Sequence, residues 1–254
     1  MTPRNPSSAK LASLPWLRTV GLTGILVTFG DQLSEVTNRA ALAFQDAVDG
    51  LNIDGVTETS TSLVSTFIQF DPTRLSRTTL QGHLQELAGS RDWSVSQKSV
   101  ARRLWRVKAS FGGEDGPHLE EVAQLADLTP EAAINQILDT RVRVITIGFA
   151  PGQPYLGTLP PNWDFPRLPE LIPRVPAGSL VVALRQLVLF TNDTPTGWRQ
   201  IGQTAFRNFE PDHVSPFRLR TGDEMEFVRV GQDEMRLCLA DPTRATAAEL
   251  VELS

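Results

Sequence analysis

Val142-Arg143-Val144-Ile145-Thr146-Ile147 runs directly into Gly148-Phe149-Ala150-Pro151-Gly152-Gln153-Pro154-Tyr155-Leu156-Gly157. The first six residues, apolar at Val142, Val144, Ile145 and Ile147, read as a buried strand. The next ten place Gly148, Gly152 and Gly157 with Pro151 and Pro154 around Phe149 and Tyr155. Glycine allows positive φ and close backbone approach, whereas proline fixes φ and removes a donor. A strand opening into such a loop presents backbone amides at a defined place. A tight corner of a β-barrel has the same composition.

Working outward, residues 179–183, 187–190, 199–201 and 226–230 are further short apolar segments separated by proline- and glycine-rich loops. Many short strands without alternating helices predict a closed barrel. Upstream, 104–111 reads as the barrel's first strand, 112–118 as a loop, and 119–125 as a helix. Thr129-Pro130 opens another helix, with proline in its preferred first turn. Residues 235–239, which contain Cys238, read as a strand, and 243–253 as a short terminal helix. Before all of this, 22–29 is strand-like and Ser34 is placed to cap a helix carrying Val36, Ala40, Ala43, Phe44 and Val48. Strands over 55–59 and 63–70 follow, and Ser76 begins a helix with Leu80, Leu84 and Leu87 at helical spacing. This β-α-β-β-α order predicts a ferredoxin-like layer. The polar stretch 89–99 separates the two patterns. The expected organisation is α+β: a leader over 1–14 expected to be disordered, a small ferredoxin-like α/β domain over 15–98, and a β-barrel domain over 99–254.

The chain has 254 residues and a formal net charge of −5, which argues against nucleic acid or an anionic membrane as its main partner. No apolar run reaches the roughly eighteen residues of a membrane span, and 1–10 show no secretory signal. The single cysteine cannot close an internal disulfide, and a reducing, cytoplasmic setting is the default expectation. Asp193, Asp212 and His213 lack metal-ligand spacing, so no metal site is expected. No GxxxxGK[ST] phosphate loop is present in the sequence.

The motifs together resemble the 5-oxoprolinase B-subunit family, also known as allophanate hydrolase subunit 1 or the sporulation-kinase inhibitor family. Its pattern is GF-x-PG-x-PYLG, PR-x-x-VPAGS, a glutamine-containing segment ending in P-x-GW-x-x-IG-x-T, and a PGD-like turn. Here these are 148–157, Pro173 to Ser179, Gln186, Pro195 to Thr204, and Thr221-Gly222-Asp223. Phe111 to Glu120 resembles the family's YGG-x-x-GPDLE, and Phe29-Gly30-Asp31 and Phe70-Asp71-Pro72 match more loosely. The resemblance implies a cyclophilin-like barrel and a carboxyltransferase subdomain of the A/B type.

By the same resemblance, the loops marked by Gly148, Phe149, Pro151, Gly152, Pro154, Gly157, Pro176, Gly178, Gly197 and Trp198 are the functional ones. Arg174, Gln186, Tyr155 and Ser179 are the candidate substrate-binding residues. Arg174 is a charged fork suited to a carboxylate, or one half of an exposed salt bridge. Gln186 can donate and accept as amide recognition requires, or be a solvated strand end. Tyr155 can orient a substrate or cap a backbone group, and Trp198 can wall a pocket or pack in a core. No catalytic base is assigned. Three departures from the family pattern bear on function. The family's histidine about ten residues before Gly-Phe is replaced at Ile137-Leu138, its GPDLE aspartate by His118, and three of its glycines by Val181, Leu184 and Val188. Bulky residues at glycine positions narrow or close a pocket.

The function implied is an accessory component of an ATP-dependent 5-oxoprolinase, opening 5-oxoproline to glutamate. ATP would be a co-substrate. The implied partners are a paralogous barrel protein of the C-like type and an A-like protein. The alternatives are a regulatory protein that inhibits a histidine kinase, or an allophanate-handling component of urea degradation.

Overall fold

A computed structural model describes residues 15–95, 102–244 and 246–253; the leader expected over 1–14 lies outside them. The chain divides into two compact units, Met1–Lys98 and Ser99–Ser254.

The first unit contains β1 (Trp16–Val20), β2 (Gly24–Thr28), α1 (Glu35–Gly50), β3 (Val56–Ser62), β4 (Ser65–Phe70) and α2 (Arg77–Gly89). Its sheet is antiparallel, ordered β1-β2-β4-β3. From β2 onward this is the β-α-β-β-α order of a ferredoxin-like layer. The edge place beside β2, which a strand after α2 takes in that arrangement, is filled by β1, and the sequence reading had not foreseen that strand. Ser34 caps α1 as expected: the Thr37 amide donates to Ser34 Oγ at 3.1 Å, and the Ser34 amide donates to Thr37 Oγ1 at 3.0 Å. Ile25, Val27, Ile68 and Phe70 on the sheet pack with Phe44, Val48, Leu80 and Leu84 on the helices.

The second unit contains β5 (Arg102–Phe111), α3 (Leu119–Leu125), α4 (Pro130–Asp139), β6 (Val142–Ile147), β7 (Pro154–Gly157), β8 (Ile172–Val175), β9 (Ser179–Ala183), β10 (Gln186–Leu189), β11 (Thr194–Thr196), β12 (Arg199–Gln203), β13 (Glu224–Arg229), α5 (Gln232–Ala240) and β14 (Ala248–Leu253). Hydrogen bonding runs β12-β9-β10-β7-β6-β13-β5 and closes where the end of β5 pairs with the end of β12. The result is the closed barrel the sequence predicts, with seven strands, and closure leaves few free edges. β14 pairs with the first half of β5. All of β9 is buried, because Leu180 and Val182 join the barrel interior while Val181 and Ala183 join an outer cluster with Val175, Val188, Phe190 and Trp198.

Two local expectations are corrected. Cys238 lies on helix α5, not on a strand: Met235 and Cys238, three residues apart, are its buried positions. Residues 248–253 form strand β14 rather than a helix, because six consecutive residues find partners along β5.

Candidate functional site

Strand register places the 148–153 and 176–178 motif loops at one end of the barrel and Gly197-Trp198, just ahead of Arg199 on β12, at the other. Phe111 faces Gly202, Gln203 faces Ser179, Leu180 faces Leu189, and Ile147 faces Pro154. The loops between β6 and β7, before β9, and after β10 and β12 therefore emerge together, whereas the loop after β5, a strand antiparallel to β12, runs back along β12 toward its start, with the Gly112 amide on the Ile201 carbonyl at 3.1 Å. Backbones here approach so closely that side chains are excluded. A Cβ on Gly116 would lie 2.0 Å from the carbonyl oxygen of Ile201, and one on Gly178, at φ +85°, would lie 2.2 Å from that of Thr204.

Beneath these loops lies a buried polar network. Gln203 donates through Nε2 to the Ala177 carbonyl at 2.7 Å and accepts at Oε1 from the Ser179 hydroxyl at 3.2 Å. Ser110 donates to the Asp115 carboxylate, and Gln200 donates to the Asp115 carbonyl at 2.9 Å. Gln203 thus fixes the loop before β9, and Asp115 and Gln200 fix the loop after β5. His118, in the family's aspartate position, ends that loop, with its amide on the Gln200 carbonyl at 3.0 Å. Its Nδ1 is shielded and has no hydrogen-bond partner.

The loop between β6 and β7 closes through the Gly148 amide and Gln153 carbonyl, 3.0 Å apart. Asn208 buttresses it, donating to the Gly152 carbonyl and accepting from the Leu219 amide, both at 2.6 Å. Two features of this loop have no structural compensation. Phe149 adopts φ +72° with 80% of its surface exposed. Gln153 is only 1% exposed, yet its Oε1 accepts no hydrogen bond. A buried amide oxygen without a donor calls for an explanation.

The residues singled out in the sequence do not converge. Ser179 sits inside the network. Arg174, on β8, is exposed and engaged with Asp193, its Nε 2.9 Å from Oδ2, while the Ala177 amide donates to the other oxygen at 2.9 Å. These contacts, the Ala177 amide foremost and then Arg174, hold the Asp193 carboxyl below its ordinary value. Gln186 pairs with Ala183 and Gly157 at the opposite end of the barrel from Ser179. Tyr155 packs edge-on to Trp198 with centroids 6.2 Å apart, beside the outer cluster, and Arg167 lies over the Trp198 ring. Val181 and Val188 face each other across β9 and β10 in that cluster, whereas Leu184 occupies the turn between them. Gln153, Gln203 and Asn208 were not anticipated. The first two fill variable positions of the motifs, and a polar residue amid wholly buried neighbours was the signal available.

The carboxyltransferase domain, subdomain C and D, family model matches residues 15–219. The 5-oxoprolinase B subunit of Bacillus subtilis (strain 168) is 29% identical over 225 residues, 86% of this chain and 94% of that protein. The chain belongs to the 5-oxoprolinase B-subunit family. The A/B subdomain expectation is corrected, since the matching model is that of subdomains C and D. The 5-oxoprolinase B subunit of Escherichia coli O157:H7 is 36% identical over 126 residues, 50% of this chain and 58% of that one. Among solved structures, TTHA0988 superposes with a TM-score of 0.70 at 30% identity, covering 85% of this chain and 40% of its own length. Kluyveromyces lactis urea carboxylase shares the fold, with a TM-score of 0.76 at 16% identity over 98% of this chain and 25% of that one. Among the described residues, no helix is long and apolar enough to cross a membrane, and no three His, Cys, Asp or Glu side chains gather as metal ligands would.

Proposed function

We propose that this chain is the B subunit of an ATP-dependent 5-oxoprolinase, opening the lactam of 5-oxoproline to glutamate with A-like and C-like partners in the cytoplasm. One observation carries the reading beyond family membership. Within the family's own loop, the Gln153 amide oxygen is buried without a donor, and a lactam N–H is a donor of the kind it lacks. An unstrained lactam is a poor electrophile. Phosphoryl transfer from ATP to its oxygen releases ADP and activates the ring carbon; water attacks there, the C–N bond opens to γ-glutamyl phosphate, and a second water releases phosphate and glutamate. The chemistry therefore needs phosphate handling and a base as well as amide recognition. This chain supplies the last, and the partners supply the rest.

The test is reconstitution with the A-like and C-like partners and measurement of ATP-dependent glutamate release. The assembled complex is expected to be active and the isolated chain inactive. Gln153→Leu should raise KM for 5-oxoproline about tenfold while the complex still assembles. An assembled wild-type complex that forms no glutamate overturns the reading. The exposed, strained Phe149 favours a second one, docking onto a histidine kinase. Co-purification with a kinase dimerisation domain, in place of activity, would support that alternative.

A further inference from the structure

In the first unit, Ile25, Val27, Ile68 and Phe70 of the sheet face the helices and pack with Phe44 and Leu80. The alternate residues of the same strands face the other way, and register sets them in rows across β1, β2, β4 and β3. One row is Arg18, Leu26, Phe67 and Ser60; the next is Val20, Gly24, Gln69 and Glu58. A sheet face turned to solvent ordinarily carries polar side chains. Here its middle is apolar. Leu26 and Phe67 are direct partners on the two central strands, and neither is fully buried. A Cβ on Gly24 would lie 2.5 Å from the Phe67 ring, so the ring lies over the Gly24 backbone, an approach that only glycine allows. Val20, the partner of Gly24 on β1, is 44% exposed, and Leu22 in the following turn is 82% exposed. The Arg77 guanidinium fixes that turn, donating to the Leu22 carbonyl at 2.7 Å.

The two edges of this face are opposite in charge. Arg18 on β1 and Glu58 on β3 are both exposed, and neither has an ion-pair partner among the described residues. An apolar patch rimmed by polar groups marks an interaction surface, and this one is complementary to itself. Two such faces, packed with their strands nearly aligned about a two-fold axis parallel to the strands, set β1 of one protomer over β3 of the other. Val20, Leu26 and Phe67 then lie against the same apolar patch of the second copy. Arg18 comes within side-chain reach of the partner's Glu58, a contact that symmetry makes twice. A two-fold axis across the strands would set Arg18 against Arg18, so charge selects the first arrangement.

We infer that the helix-free face of the β1-β2-β4-β3 sheet docks a second copy of this chain, through Val20, Leu26 and Phe67 with Arg18 and Glu58 as paired edges. The inference goes beyond the 5-oxoprolinase reading and stands without it, since it concerns the chain alone. A face four strands wide and about five residues long measures roughly 19 by 17 Å. That is less than the ~800 Å² each partner buries in a standard interface, so a dimer with a Kd of about 10–100 μM is expected.

The experiment is sedimentation equilibrium of the full chain at low salt, where exposed charge pairs are least screened, from about 1 to about 500 μM. The wild type should pass from monomer to dimer across this range. Arg18→Glu and Glu58→Arg should each raise Kd about tenfold or more, because each turns two attractive contacts into two repulsive ones. The two together should return Kd to within about threefold of the wild type, which a merely structural role would not do. Val20→Glu, which puts a charge in the apolar middle, should leave only monomer. Arg229→Gln, which removes an exposed partner of Glu131 in the second unit, should leave Kd unchanged. Arg18, Glu58 and Val20 are all exposed, so these variants keep the core intact. A wild type that stays monomeric throughout, a dimer indifferent to Val20→Glu or to either charge reversal, or a double exchange no better than the single ones overturns the inference.

Discussion

Where β9 turns into β10, Leu184 and Arg185 have φ values of 52° and 60°; at the other end of the barrel, Phe149 has 72°. All three are non-glycine residues in the left-handed region, where a side chain costs about 1–2 kcal/mol. The turn at 184–185 compensates for its strain. Its mirror-image geometry suits a tight hairpin, and the turn is stitched to a neighbouring loop. The Leu184 amide donates to the Phe165 carbonyl at 2.9 Å, the Arg185 amide to that of Trp163 at 3.1 Å, and the Leu159 amide to that of Arg185 at 2.8 Å. Arg185 Nε adds a bond to the Leu159 carbonyl at 2.9 Å. Phe149 instead projects into solvent, in the same loop as the orphaned Gln153 oxygen. Strain compensated by neighbours is part of how the fold closes, whereas the strain left exposed at Phe149 belongs to the end on which the proposed function rests.

The sharpest way to break this comparison is to crowd the motif end. Gly178→Ala adds a side chain at φ +85° directly against the Thr204 carbonyl. It should destabilise the barrel by about 3 kcal/mol or more, lowering Tm by roughly 6–12 °C in a calorimetric scan. An unchanged Tm would mean that these loops are free to move apart. Gln203→Leu should come next. It strands the Ala177 carbonyl and the Ser179 hydroxyl, and should cost about 2 kcal/mol in urea denaturation.

Smaller, and more discriminating, is a matched pair of relief substitutions. Leu184→Gly and Phe149→Gly each remove a side chain from the left-handed region and should each stabilise by about 0.5–1 kcal/mol. Only Phe149→Gly should lower glutamate release by the reconstituted complex. Equal activity losses would erase the distinction between the two ends.

How much of this was legible in the sequence follows from where local and tertiary preferences agree. Ser34 and Thr129-Pro130 head their helices because capping chemistry is local. Strands 142–147 and 179–183 were readable because each is a nearly continuous apolar run. Residues 248–253 misled because Ala, Glu and Leu favour helix in isolation, while the open flank of β5 supplied a ladder no local signal announces. Residues 235–239 misled because Met235, Leu237 and Leu239 alternate like a strand, although Leu237 is exposed. Among the candidate site residues, Ser179 was singled out through the family pattern, and the structure places it against Gln203. Arg174 drew attention by its charge, but that charge is spent on Asp193. Gln153 could not be singled out, because an orphaned oxygen is a property of its surroundings.

The smallest expected effect is electrostatic and sets a partly exposed carboxylate against a buried one. Asp193, at the motif end, has its carboxyl held low by the Ala177 amide and Arg174. Asp223, in the turn that leads into β13, has its carboxyl raised by burial, despite the Arg220 amide, Arg103 and Trp105 around it. An unfolded aspartate titrates near about 3.9. A carboxyl held below that value in the folded state adds stability that is present above it and lost as pH falls through the folded value. A carboxyl raised above it works in reverse: the folded state keeps its proton longer, and stability falls as pH rises from about 3.9 through the folded value. The windows therefore lie on opposite sides of about pH 3.9. Urea denaturation across this range should show Asp223→Asn gaining on the wild type as pH rises above it. Asp193→Asn should lose ground as pH rises toward it from below. Both differences should be flat near neutrality. Parallel curves for either variant would mean that its carboxyl titrates as it does in the unfolded chain, and that burial at Asp223 and hydrogen bonding at Asp193 do not set the two apart.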